Sequence, residues 1–141
     1  MQVPAKGVYA LEAVFELAEN YGGEPLRIAD IARRRNIPQK FLELILATLK
    51  QVGLVEARRG AEGGYMLAKP PSQVSVGDVL RAVEGSSGLR LATLRGQDNP
   101  FADLWRRLDD AVRTLLERTT FEDLVRAWRE KQSLAAPYWE I

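Results

Sequence analysis

Eight cations crowd into one stretch of this 141-residue chain. Arg27, Arg33, Arg34, Arg35, Lys40, Lys50, Arg58 and Arg59 face only Asp30, Glu43 and Glu56 there, a net +5 in a chain whose total is +1. The rest of the sequence is therefore acidic, and a basic segment inside it suggests a face that binds a polyanion. The same charges would also suit a solvated helix surface. Gln39 and Lys40 are of types that read base edges, and Glu43 is of a type that accepts from a cytosine amino group. Other chemistry is missing. With no Cys there is no disulfide, zinc–thiolate site or thiol nucleophile, and with no His the usual general base and imidazole ligand are gone. No convergent acid–base or nucleophile constellation stands in for them, so an enzyme is not expected.

These residues need elements to position them. At 46% hydrophobic and 28% charged, the chain is long enough for one domain, or a small domain with an appendage, around a real core. Residues Ala5 to Asn20 read as a helix with Val8, Leu11, Val14, Phe15 and Ala18 on one face, ended by the Gly22-Gly23 stretch. A short helix is predicted from about Ile28 to Arg35, with Ile28, Ile31 and Ala32 inward. Asn36-Ile37-Pro38 is a turn, with Pro38 suited to the first position of the next helix. That third helix runs to about Val52, burying Leu42, Ile45, Leu46, Leu49 and Val52, and Gly53 stops it. Leu54–Arg58 and Tyr65–Ala68 are strand-like runs around a glycine-rich turn, which makes a β-hairpin. Ser75, with Asp78 three residues on, caps a helix over Val76–Glu84. A long helix follows from about Phe101 to Arg118, and Thr120 caps a last one to about Lys131.

The order helix, short helix, turn, longer helix, glycine-tipped hairpin is that of a winged helix-turn-helix. The expected fold is mainly α with a small β-hairpin, a DNA-binding domain over residues 1–74 and a helical dimerisation or regulatory arm over 75–141. In such a unit the third helix offers its polar N-terminal end to the major groove of double-stranded DNA, while the second crosses the backbone. Pro38, Gln39, Lys40 and Glu43 would stand there. Arg58, Arg59 and Gly60 at the hairpin tip would reach phosphates or the minor groove, and Lys6, Tyr9 and Arg33 to Arg35 are phosphate candidates. The same shape would also serve a protein-interaction module that does not bind DNA. Tyr65 reads as hairpin packing.

Phe101, Leu104, Leu108, Ala111 and Leu115 alternate at three- and four-residue steps, the seam of a coiled-coil-like pair, and Trp105, Val112 and Leu116 widen it. A homodimer would bury this stripe and would place two recognition helices on a palindromic operator. Alternatively the long helix folds back on the chain's own first helix. No apolar run approaches a membrane span, and Lys6, Glu12 and Glu16 interrupt the N-terminal apolar stretch, so a cytoplasmic protein is expected.

Several runs resemble one family. Lys6-Gly7-Val8-Tyr9-Ala10-Leu11, Ile28-Ala29-Asp30-Ile31-Ala32, Ile37-Pro38-Gln39-Lys40-Phe41-Leu42, the wing through Gly63-Gly64-Tyr65, and Val76 to Gly85 look like the Rrf-type bacterial winged-helix regulators, the family of the IscR, NsrR and CymR repressors. The resemblance is close over about Met1 to Gly88 and looser beyond. It implies a dimeric transcription factor, with the long helix at the interface. Many such proteins hold an iron–sulfur cluster through three cysteines in the loop before that helix. Here the loop, Leu89 to Pro100, has none, so no cofactor is expected and the chain resembles the cluster-free, CymR-like branch, tied to cysteine metabolism and to cysteine synthase. The ending Pro137-Tyr138-Trp139-Glu140-Ile141 is similar to the tail of serine acetyltransferases, whose terminal isoleucine enters cysteine synthase. That likeness makes Trp139 and Ile141 candidates for the same contact, the alternative being that the tail's aromatics pack on the arm. A small effector could bind near Leu89 to Asn99.

Overall fold

The computed structural model describes residues 5–85 and 99–135. The candidate tail residues Trp139 and Ile141, and almost all of the loop from Leu89 to Pro100, lie outside the described residues. The elements run α1 (Ala5–Glu19), α2 (Ile28–Arg35), α3 (Gln39–Gln51), β1 (Val55–Arg58), β2 (Gly64–Leu67), a 3-10 turn (Pro71–Gln73), α4 (Val76–Glu84), α5 (Ala102–Arg118) and α6 (Phe121–Leu134). β1 and β2 pair antiparallel from Val55 opposite Leu67 to Arg58 opposite Gly64. The chain is thus mainly α-helical with one small hairpin, as the periodicities predict.

One continuous core holds these elements together. Ala10, Val14 and Leu17 of α1 meet Ile31 of α2, Leu42, Ile45, Leu46 and Leu49 of α3, and Val79, Leu80 and Val83 of α4. Small residues on α1 (Gly7, Ala10, Ala13, Ala18) let the neighbouring helices approach its axis. Two residues expected in this core stay outside. Val8 is exposed because the buried stripe of α1 runs through Gly7, Ala10 and Val14 instead. Val52 is 53% exposed because the helix has already ended there. Gly53 takes φ +84, Gly53 N–H donates to the Lys50 carbonyl, and Leu54 N–H donates to the Leu49 carbonyl at 3.0 Å. This is the double bond pattern of a Schellman stop, and it delivers Leu54, rather than Val52, into the core.

The second half of the chain is fastened at one junction. Ser75 and Asp78 form a reciprocal capping box at 3.0 Å in each direction, and Thr120 and Asp123 form another at 3.1 Å. The two caps lie side by side, since Val76 N–H donates to the Thr119 carbonyl and Phe121 N–H to the Val74 carbonyl, both at 2.9 Å. Arg81 pairs with Glu117 across the same contact. From there α6, three residues longer than expected, returns along α1 with Phe121 and Val125 buried. So it is α6 that folds back on the first helix. No residue of α5 is buried.

The Thr120 backbone N–H and hydroxyl, both directed at the Asp123 carboxylate, lower its pKa below the usual carboxylate value. A group whose pKa is depressed by folding contributes stability above its unfolded pKa, and that contribution is lost as pH falls through the folded value. Asp123→Asn is therefore expected to lower the melting temperature at neutral pH, with the difference from the parent protein vanishing well below about pH 4. Parallel thermal melts across that range measure it, and a difference independent of pH would sink this account of the cap.

Candidate nucleic-acid interface

The turn between α2 and α3 sets the recognition-type geometry. Asn36 adopts φ +52, the left-handed conformation that asparagine tolerates better than most residues, and Ile37 N–H donates to the Ala32 carbonyl at 2.9 Å. Ile37 then drops into the core, which fixes the angle at which α3 departs. Pro38 lies one place earlier than expected. Its ψ of 126° makes it the N-cap, and its carbonyl accepts the first bond of α3 from Leu42 N–H at 3.1 Å. Pro38, Gln39, Lys40 and Glu43 are all exposed.

The hairpin is seated by a contact that reaches outside it. Leu26 and Tyr65 exchange backbone hydrogen bonds of 2.9 and 2.7 Å, adding a one-residue third strand beside β2. This close approach requires glycine at position 64, because a Cβ there would collide with the Leu26 carbonyl. Arg27 donates from its guanidinium to the Ala61 carbonyl and so ties the loop of the wing to the start of α2. Neither Leu26 nor Arg27 had been given a place by sequence reasoning. Arg27 was visible only as charge, and pairing with a residue 34 positions away leaves no local signal. The tip then presents Arg58, Arg59 and Gly60 to solvent, with Gly60 at φ +107.

The three consecutive arginines divide. Arg35 pairs with Glu16 at 2.7 Å and stacks over the Phe15 ring at 5.1 Å, joining α2 to α1. Arg34 approaches the same carboxylate at 3.6 Å. Arg33 pairs with Asp30 one turn earlier and keeps most of its side chain in solvent. Lys6 is exposed near the start of α1, while Tyr9 is half-buried against the core.

On α5 and its N-cap, Phe101, Leu104, Leu108 and Leu115 are exposed and Trp105 and Val112 are half-buried. Phe101 and Trp105 stack at 6.4 Å between ring centroids. Among the described residues this is a long, largely exposed apolar stripe, of the kind that marks an interaction surface.

Comparison with known proteins places this arrangement. Residues 3–127 match the family model Rrf2, described as an iron-dependent transcriptional regulator. The HTH-type transcriptional regulator CymR of Bacillus subtilis is 36% identical over 124 residues, covering 88% of this chain and 89% of that protein. The solved structure of CymR (YrzC), the global cysteine regulator of B. subtilis, superposes with a TM-score of 0.81 over 90% of this chain and 98% of its own, at 35% identity. That of T. potens IscR does so with a TM-score of 0.84 over 100% and 97%, at 32% identity. The iron in the family's description finds no matching donors here. Cluster iron is held by thiolate or imidazole, the sequence contains neither Cys nor His, and among the described residues no three carboxylates converge to hold a metal ion.

Proposed function

The chain belongs to the Rrf2 family of transcriptional regulators, and from that premise we propose that it is a homodimeric, sequence-specific DNA-binding repressor that works without an iron–sulfur cluster. The observation that carries this reading is the pairing of exposed Gln39, Lys40 and Glu43 at the start of α3 with an exposed basic wing, each fixed by its own backbone turn. In the proposed complex α3 enters the major groove, where Gln39, Lys40 and Glu43 meet base edges. Arg58 and Arg59 grip the wing-side groove, and Lys6, Tyr9 and Arg33 hold phosphates. The winged helix-turn-helix occupies residues 1–74 and the arm residues 75–141. Phe101, Leu104, Trp105, Leu108, Val112 and Leu115 of two copies form the dimer contact. The likeness to a global cysteine regulator supports control of cysteine or sulfur genes. In the same reading the protein works in the cytoplasm, and Trp139 and Ile141 engage cysteine synthase, as the resemblance of its ending to serine acetyltransferase tails implies.

Selection of genomic fragments by the purified protein at two salt concentrations tests this. The expected result is a palindrome with half-sites one or two helical turns apart, beside genes of sulfur metabolism. Arg59→Ala is expected to weaken binding to that operator by about tenfold, within the ~1–3 kcal/mol typical of a specific arginine contact. Unchanged operator affinity in that variant would contradict the role of the wing. Binding that is only salt-sensitive and blind to sequence, or absent, would instead favour a winged-helix interaction module.

A further inference from the structure

The outward face of α3 is not the polar surface that a solvated helix would carry. Successive residues of an α-helix are turned by about 100°. With Leu42, Ile45, Leu46 and Leu49 facing the core, the residues pointing most directly away from it are Lys40, Leu44, Ala47 and Gln51. All four are exposed, and Leu44 is 68% exposed, a large aliphatic side chain at the centre of the face. It contributes nothing to the core. Glu43 flanks it on one side. On the other, Phe41 is 56% exposed and lines, with Leu44, Thr48, Lys6 and Tyr9, an open groove between α3 and the start of α1.

Resting on the DNA-binding reading above, we propose that Leu44 is a specificity-determining residue that selects a thymine by packing on its C5-methyl group in the major groove. The surrounding charge argues for DNA as the occupant of this apolar spot. Lys40 stands one turn before Leu44 and Lys50 stands beyond it on the same helix. Lys6 and the wing residues Arg58 and Arg59 are also exposed. Thymine is the base that presents a methyl group in the major groove, and an aliphatic side chain without donors or acceptors distinguishes bases there by that group. Gln39, by contrast, lies toward the edge of the outward face, so the centre of the contact belongs to Lys40 and Leu44.

Replacing single thymines of the selected operator by deoxyuridine removes the methyl and leaves every hydrogen-bonding group in place. At one thymine in a single half-site this is expected to weaken the parent protein by about fourfold, the value of one buried methyl group, and by about fifteenfold when the equivalent thymine of both half-sites is changed. Leu44→Ala should lose the same factor on the thymine operator and be indifferent to uracil at that position. Leu44→Met, which keeps an apolar side chain of similar reach, should retain the discrimination. The substituted side chain is exposed, and circular dichroism checks that the fold is intact. Additive effects of Leu44→Ala and uracil at every thymine would overturn the proposal while leaving DNA binding in place. A parent protein that selects no operator would overturn both.

Discussion

Leu108→Glu is expected to leave the protein folded and, on the proposed dimer, to make it monomeric and lower its affinity for a two-half-site operator by about 100-fold or more. Leu108 lies in the middle of the α5 stripe between Leu104 and Leu115, and all three side chains are exposed on the single chain. A carboxylate there costs the monomer little. Across a two-fold contact it would place two like charges in an apolar seam that excludes water. Two linked recognition helices bind a palindrome far more tightly than one, because the second engagement is intramolecular, and typical gains from such linkage are about 10²–10⁴. Sedimentation equilibrium reads the mass, and titration of the full operator against an isolated half-site reads the lost avidity. A variant that stays dimeric with unchanged operator affinity would remove α5 from the interface.

Phe121→Ala is expected to be the most destabilising single truncation. Phe121 is fully buried and is the largest such side chain in the core. It is also the first residue of α6, held to Val74 by a backbone bond of 2.9 Å, so the cavity would open where the second half of the chain is fastened to the first. Phenylalanine-to-alanine changes in cores cost about 3–5 kcal/mol, a large part of the stability of a domain this size. The melting temperature should fall by roughly 10–20 °C. A loss of under about 1 kcal/mol in chemical denaturation would mean that α6 does not pack as described.

Much of this architecture was legible because its signals are local. Ser75 and Thr120 announce their helices, Gly53 announces a stop, and the leucines of α3 mark its buried side by spacing alone. What escaped sequence reasoning depends on groups far apart in the chain. The Leu26–Tyr65 bridge joins residues with no pattern in common, and the pairing of Arg35 with Glu16 takes one arginine of a run of three out of solution. Val52 shows the limit of periodicity, since a stripe continues on paper past the point where a left-handed glycine has turned the chain away. Leu44 was hidden differently. An exposed leucine in a leucine-rich helix looks like core until the buried arc is fixed, and only its angle relative to Leu42, Ile45 and Leu49 places it opposite. For the proposed interface, residue types and order pointed to α3 and the hairpin and to a turn at Asn36, while the left-handed φ of Asn36 and the close approach of Gly64 to Leu26 became visible only in three dimensions.

The paired caps at Ser75 and Thr120 have a mechanical consequence. α5 is gripped at its C-terminal end, by Thr119, Arg81 and the start of α6, and runs 17 residues from that grip, or roughly 25 Å. Among the described residues it is therefore a lever with its fulcrum at the junction. A tilt of about 5° there carries the far end through about 2 Å, given the rise of an α-helix. In a dimer joined along such levers, the stiffness of two small hydrogen-bonded collars governs how constant the distance between the two DNA-reading units can be.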